Sequence, residues 1–323
     1  MWNFKGGFRQ TPGAAAWNTW PEWFKRHGYY TAGCGKLFHP DDPADFDPQS
    51  WTGNAYGGYY GQDHCPIKNL NGSHGCPVPD SVNHTFPDLE TLATAKQQLA
   101  KAAAEPGTPF WYGRLAQISR PRGPQRPEKT SSKLIWAPEI GLFLTFSFLT
   151  ICFRIGVGFV KPHMPHVFPA KYLGMVPAAA DIDVALHQHP PNGTAASIDW
   201  YSGKGADGPV AVTDINTPAD KETQQDWRRN YYAAAAFSDA VFGELLAELD
   251  VLGFTDNTLV IMTSDHGWGL GEHNHWVKYT NCRRQLQHPF GSFTQHIFFF
   301  FFFTPPNTRG APCSTSSPCS IGC

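Results

Sequence analysis

The stretch TSDHGWGLGEHNHWVKYTN, Thr263 to Asn281, sets an acid and an imidazole side by side at Asp265 and His266 and follows them with Glu272, His273, His275 and Lys278. A carboxylate next to a neutral imidazole suits a divalent cation, and Gly267 lets the backbone turn sharply beside them. An isolated Asp-His pair would more simply be a turn cap next to a loop histidine. The titratable groups that follow form a cluster, which reads as a metal and oxyanion site.

Elements that would position this cluster are visible around it. Asn257 to Met262, NTLVIM, is a short β-branched apolar run after a helical pattern, as expected of a buried parallel strand. Asp265 and His266 then fall just past the strand's carboxyl end, where open α/β sheets hold ligands. Upstream, Thr19 and Glu22 form a T-x-x-E capping box with Pro21 in the first turn, and Gly28 closes that helix. The strand YYTAGCG follows and delivers Lys36 and His39 to its end. A second helix is expected over Asp88 to Ala104, burying Leu89, Leu92, Ala95 and Leu99, and a third from Arg228 with Phe237, Val241, Leu245 and Leu249 on one face. Helices alternating with short apolar strands predict an α/β fold with a largely parallel sheet flanked by helices.

Several of these segments resemble the sulfatases. SDHGWGLGEHNHWVKYTN is similar to the family's second metal-binding segment, GYYTAGCGKLFHP at Gly28 to Pro40 to its Gly-Lys-x-Phe-His segment, and VGFVKPHMPHVFP at Val157 to Pro169 to its Lys-Pro-His-x-Pro segment. They occur in the family's order. The resemblance implies an alkaline phosphatase-like sulfatase fold, here incomplete, and hydrolysis of a sulfate ester on a glycosaminoglycan-type sugar. It implies calcium as cofactor with Asp265 and His266 on the metal side, His266 alternatively contacting the nucleophile or sulfate. Lys36 and Lys278 would neutralise sulfate oxygens, and His39 and His163 would be the acid and base. Trp268 either lines the sugar pocket or belongs to the core, and His273 and His275 have no assigned role. Cys65 and Cys76 bracket the polar loop CPIKNLNGSHGC, and the family implies a disulfide between them.

The family also carries an Asp-Asp metal pair and a C-x-P-S-R nucleophile motif ahead of these segments. No C-x-P-S-R occurs in this sequence, and Asp41-Asp42 follows Lys36, on the wrong side, as part of a solvated turn. The chain as written is therefore expected to be inactive. Alternatives are a phosphate-ester metal hydrolase of the same superfamily and a non-catalytic fragment from a faulty gene model.

Composition sets the remaining bounds. The chain has 323 residues, 41% of them hydrophobic, enough to bury a large core, and its net charge of −2 gives no electrostatic case for nucleic acid or an anionic membrane. Sequons at Asn71, Asn83 and Asn192 point, with the cysteine pair, to a secretory or lysosomal compartment, although MWNFKGGFRQ is no signal peptide. Residues 1–111 read as a partial sulfatase domain and 154–281 as its continuation with the metal segment. Residues 112–153, basic and Pro-rich and then apolar from Ile140 to Phe153, read as a foreign insert. At about 1.5 Å per residue that apolar run is too short as a helix to cross a bilayer, so no membrane partner is expected. Residues 282–323, with six consecutive phenylalanines, read as a non-homologous tail without strand periodicity.

Overall fold

A computed structural model of the chain describes residues 8–38, 46–61, 63–68, 70, 75–104, 153–190, 216–265, 267–276, 278 and 297–303. Helix α1 (Trp20–Arg26) starts where the Thr19 hydroxyl accepts the Glu22 N–H at 3.2 Å. The Glu22 carboxylate is drawn to Arg9 at 2.6 Å and Arg26 at 2.5 Å. Strand β1 (Tyr30–Gly35) follows, then the short β2 (Cys76–Val78) and α2 (Pro87–Ala104). β3 (Phe153–Phe159) leads through a loop to β4 (Val167–Pro169). The 31-residue α3 (Lys221–Val251), β5 (Thr258–Ser264) and β6 (Ile297–Phe303) complete the elements.

The larger sheet has the order β1-β3-β6-β5. β1 and β3 are parallel, with Tyr30 opposite Phe153, and β6 lies antiparallel to both β3 and β5. Three strands thus share one direction and β6 opposes them. Alternate residues of β1 and β3, namely Ala32, Cys34, Ile155, Val157 and Phe159, bury against Leu92, Ala95 and Leu99 of α2 and Phe237, Val241, Leu245 and Leu249 of α3. This is the α/β architecture expected from the pattern of elements. β2 and β4 form a second, parallel pair, and Cys76 at the start of β2 is bonded to Cys65 with 5.7 Å between their Cα atoms.

Four expectations need correcting. Leu89 does not join the buried face of α2; it is 38% exposed, because the first turn instead buries Asp88 and Thr91. α3 begins seven residues before Arg228, capped by Asp220, whose carboxylate accepts the Thr223 N–H at 2.9 Å. β5 is not a fully buried parallel strand: among the described residues it pairs only with β6, and Leu259 and Met262 are 52% and 39% exposed. The phenylalanine run forms β6 and is paired along both edges. An unbroken apolar run is the pattern of an interior strand, so the lack of alternation did not argue against one.

The expected insert lies outside the described residues up to 152, and its last residue, Phe153, is the first of β3. Among the described residues no helix is long and apolar enough to cross a membrane.

Candidate functional site

β1 delivers Lys36 through a close crossing of two glycines. Gly35 has φ 71°, the left-handed region that glycine enters at little cost, and the Lys36 N–H donates to Gly158 O at 2.7 Å. A Cβ on Gly158 would lie 2.3 Å from the Lys36 carbonyl carbon, so only glycine lets β3 pass this close. Lys36 emerges half-buried at the carboxyl end of β1.

The neighbouring β3 ends in the loop Val160 to His166, which carries His163. His163 Nδ1 contacts the Met164 carbonyl, and its Nε2 faces Lys278 Nζ at 3.1 Å across 115 residues of sequence. A carbonyl can only accept, so Nδ1 carries the proton and Nε2 presents its lone pair to Lys278.

Lys278 is brought there by the segment after β5, which is anchored on the first turns of α3. Trp268, Leu270 and Trp276 bury against Trp227 and Tyr231 of α3 and Met164 of the His163 loop. Arg228 donates to Leu270 O at 3.2 Å and lies 3.7 Å from Glu272, whose carboxylate accepts the Leu270 N–H at 3.0 Å. Gly271, at φ 100°, turns the chain, and its N–H meets His275 O at 2.9 Å.

Three basic groups thus converge from three elements, and each alters the others. Burial first, and then the Lys278 ammonium, pull Lys36 down to about 7, against the opposing pull of the Asp265 carboxylate. Burial, Lys36 and Lys278 together hold His163 well below the usual imidazole range, so it rests neutral. Two amines whose mutual repulsion an anion would relieve, beside a neutral imidazole, make a site suited to a tetrahedral oxyanion.

The other predicted site residues divide. Asp265 follows β5 directly, is exposed, and lies close enough to Lys36 to favour its charge. His39 and His266 lie outside the described residues. Calcium takes about six to eight oxygen ligands. The described residues contain no group of three or more His, Cys, Asp or Glu able to hold a metal, so Asp265 and its described neighbours do not by themselves fit calcium. Trp268 is 6% exposed and sits in the tryptophan cluster, where its large ring serves packing. The acid and imidazoles after His266 make structural contacts. Glu272 binds its own loop and Arg228, His273 contacts His189 O at 3.0 Å, and His275 is buried with its pKa lowered by burial to about 4. Asp88 and Lys161, buried behind His163, were not singled out by the sequence, where they appear only as a helix start and the first letter of the Lys-Pro-His segment.

Residues 153–290 match the Sulfatase family model. Iduronate 2-sulfatase of Homo sapiens is 28% identical over 284 residues, 83% of this chain and 43% of that protein, and the Mus musculus enzyme is 28% identical over 281 residues, 82% and 42%. The stretch 153–290 is similar to the sulfatase family. Over most of its length the chain is similar to iduronate 2-sulfatase, and it spans less than half the length of those relatives. Among solved structures, the phosphonate monoester hydrolase SpPMH from Silicibacter pomeroyi matches 88% of this chain and 52% of that one at 14% identity, with a TM-score of 0.41.

Proposed function

We propose that this site binds the sulfate group of a sulfated, glycosaminoglycan-type sugar, and that the protein's lineage reaction is hydrolysis of that sulfate ester. The observation that carries the reading is the convergence of Lys36, His163 and Lys278. The two amines would neutralise sulfate oxygens as charge grows on them. Cleaving the S–O bond leaves charge on the departing sugar oxygen, which needs a proton. His163 rests unprotonated at Nε2, so it would have to take up a proton once a sulfate anion between the two amines offsets their repulsion, with both amines keeping their charge. His39 is the proposed second acid-base group and Trp268 a residue behind the pocket wall. Similarity to iduronate 2-sulfatase supports a uronate-type sugar. Calcium is the proposed metal, with Asp265 and His266 on its side of the site. The bonded Cys65–Cys76 pair and the exposed sequon residue Asn83 support a secretory or lysosomal location.

Calorimetric titration with inorganic sulfate and with 4-nitrocatechol sulfate tests the site. Saturable binding is expected, weakened about tenfold or more in Lys36→Ala and Lys278→Ala, since each removes a charge-assisted contact of roughly 1.5–3 kcal/mol. Because the sequence contains no C-x-P-S-R, release of 4-nitrocatechol should stay at the blank rate. Binding that neither substitution alters would reject the reading, and turnover lost in Lys36→Ala would reject the expected inactivity.

A further inference from the structure

We propose that Lys161 is a positioning residue, whose buried amine closes the Val160 to His166 loop so that His163 Nε2 faces Lys278. The inference rests on the sulfate-site reading for its consequence, but not for its geometry.

The His163 N–H donates to Val160 O at 2.9 Å and the Val167 N–H to Pro165 O at 2.8 Å, but Pro162 and Pro165 supply no N–H, so further ties come from outside the loop. Asp88, in the first turn of α2, accepts the N–H groups of Val160 at 2.7 Å and Lys161 at 2.9 Å with its two carboxylate oxygens. Ser238 of α3 donates to Lys161 O at 3.1 Å. The Lys161 side chain then turns back over the loop it begins and donates from Nζ to His163 O at 3.2 Å and Pro165 O at 2.7 Å. His163 thereby sits in a loop closed by its own N–H to Val160 O and by the Lys161 amine, which spans the His163 and Pro165 carbonyls. On the far side, the Cys76 N–H donates to His166 O at 2.8 Å and fixes where the loop joins β4.

A lysine only 2% exposed is costly unless its charge is matched. The cost is offset in part, since burial still holds the Lys161 amine below its usual range. The carboxylates of Asp63 and Asp88 both favour the ammonium against the burial that disfavours it, and Asp63 is itself held by His84 Nε2 at 2.8 Å. If filling space were the whole role, a methionine would serve without buried carboxylates. Two consecutive donations to loop carbonyls, with countercharges behind them, are what a fixed loop requires. The imidazole has little freedom to compensate for movement, because Nδ1 is committed to the backbone carbonyl of the next residue in the same loop.

The experiment uses the full chain with nitrogen-15-labelled histidine and compares Lys161→Met, Lys161→Arg and Ser238→Ala with the parent. The ring nitrogen signals of His163, assigned by their loss in His163→Gln, are recorded alongside calorimetric sulfate affinity. The parent should show a single tautomer protonated at Nδ1. Lys161→Met should mix the tautomers and weaken sulfate binding on the order of tenfold, the scale typical of losing a group that orients a ligand. Lys161→Arg should recover most of both, and Ser238→Ala should move both signals in the same direction by less. Unchanged His163 signals in Lys161→Met would overturn the proposal. If Lys161→Met does not fold, unchanged His163 signals in Ser238→Ala would overturn it. If sulfate fails to bind the parent, the sulfate reading falls, while the tautomer measurement still decides the role of Lys161.

Discussion

His275 was one of several imidazoles that suggested site chemistry, and its burial turns it into a stability determinant instead. At 4% exposure its pKa falls from 6.5 to about 4, so it is neutral in the fold while the unfolded chain binds a proton below 6.5. The unfolded state binds more protons between these values. Stability is therefore complete above about pH 6.5 and is lost as pH falls toward 4, by up to roughly 3 kcal/mol at about 1.4 kcal/mol per unit. Urea midpoints measured across this range should fall with acidity, and His275→Gln, which cannot charge, should flatten that limb. A limb equally steep in the variant would assign the loss to other groups. At this scale the legible residues were those whose chemistry stands in a motif: Lys36, His163 and Lys278 do converge. Asp88 and Lys161 were hidden because burial of a charged pair leaves no mark on local spacing. Trp268 stayed ambiguous because a tryptophan suits a pocket wall and a core equally well.

Among the elements, β2 is only three residues long and owes its place to two attachments, the pairing with β4 and the bond from Cys76 to Cys65. The bridge closes a short loop of sequence separation 11, for which the loss of unfolded-chain entropy is worth about 2–3 kcal/mol. Replacing both cysteines by serine should lower the unfolding free energy by that amount, read from denaturant titration. Peptide mapping without reduction should recover the joined peptides from protein made in a secretory compartment; free thiols there would reject the pairing. The helices show what element spacing can reveal. The Leu92, Ala95 and Leu99 stripe placed α2 to within a residue at its start. The start of α3 was missed because its first two turns bury Gln224 and Gln225 beside Trp227, and polar residues do not register in an apolar repeat. Gln225 earns its burial by donating to Ile182 O at 2.8 Å, a partner distant in sequence.

Across the whole molecule, β6 is the only described link between the strands that supply Lys36 and His163 and the strand that precedes Asp265 and Lys278. Removing residues 282–323 should leave β1 and β3 protected from amide exchange while β5 loses protection; a β5 equally protected in the shortened chain would show that β6 is dispensable. The placement of β6 also orders events during synthesis. The nascent chain makes β1, α2, β3 and α3 first, and these can pair and pack as they appear. β5 then waits without a neighbour until a later segment inserts between it and β3, a pairing of long sequence separation and hence slow closure. Throughout that interval β3 and β5 each present an open hydrogen-bonding edge to other chains. Chaperone demand and aggregation during production should therefore track how quickly translation proceeds from Ser264 to Phe303.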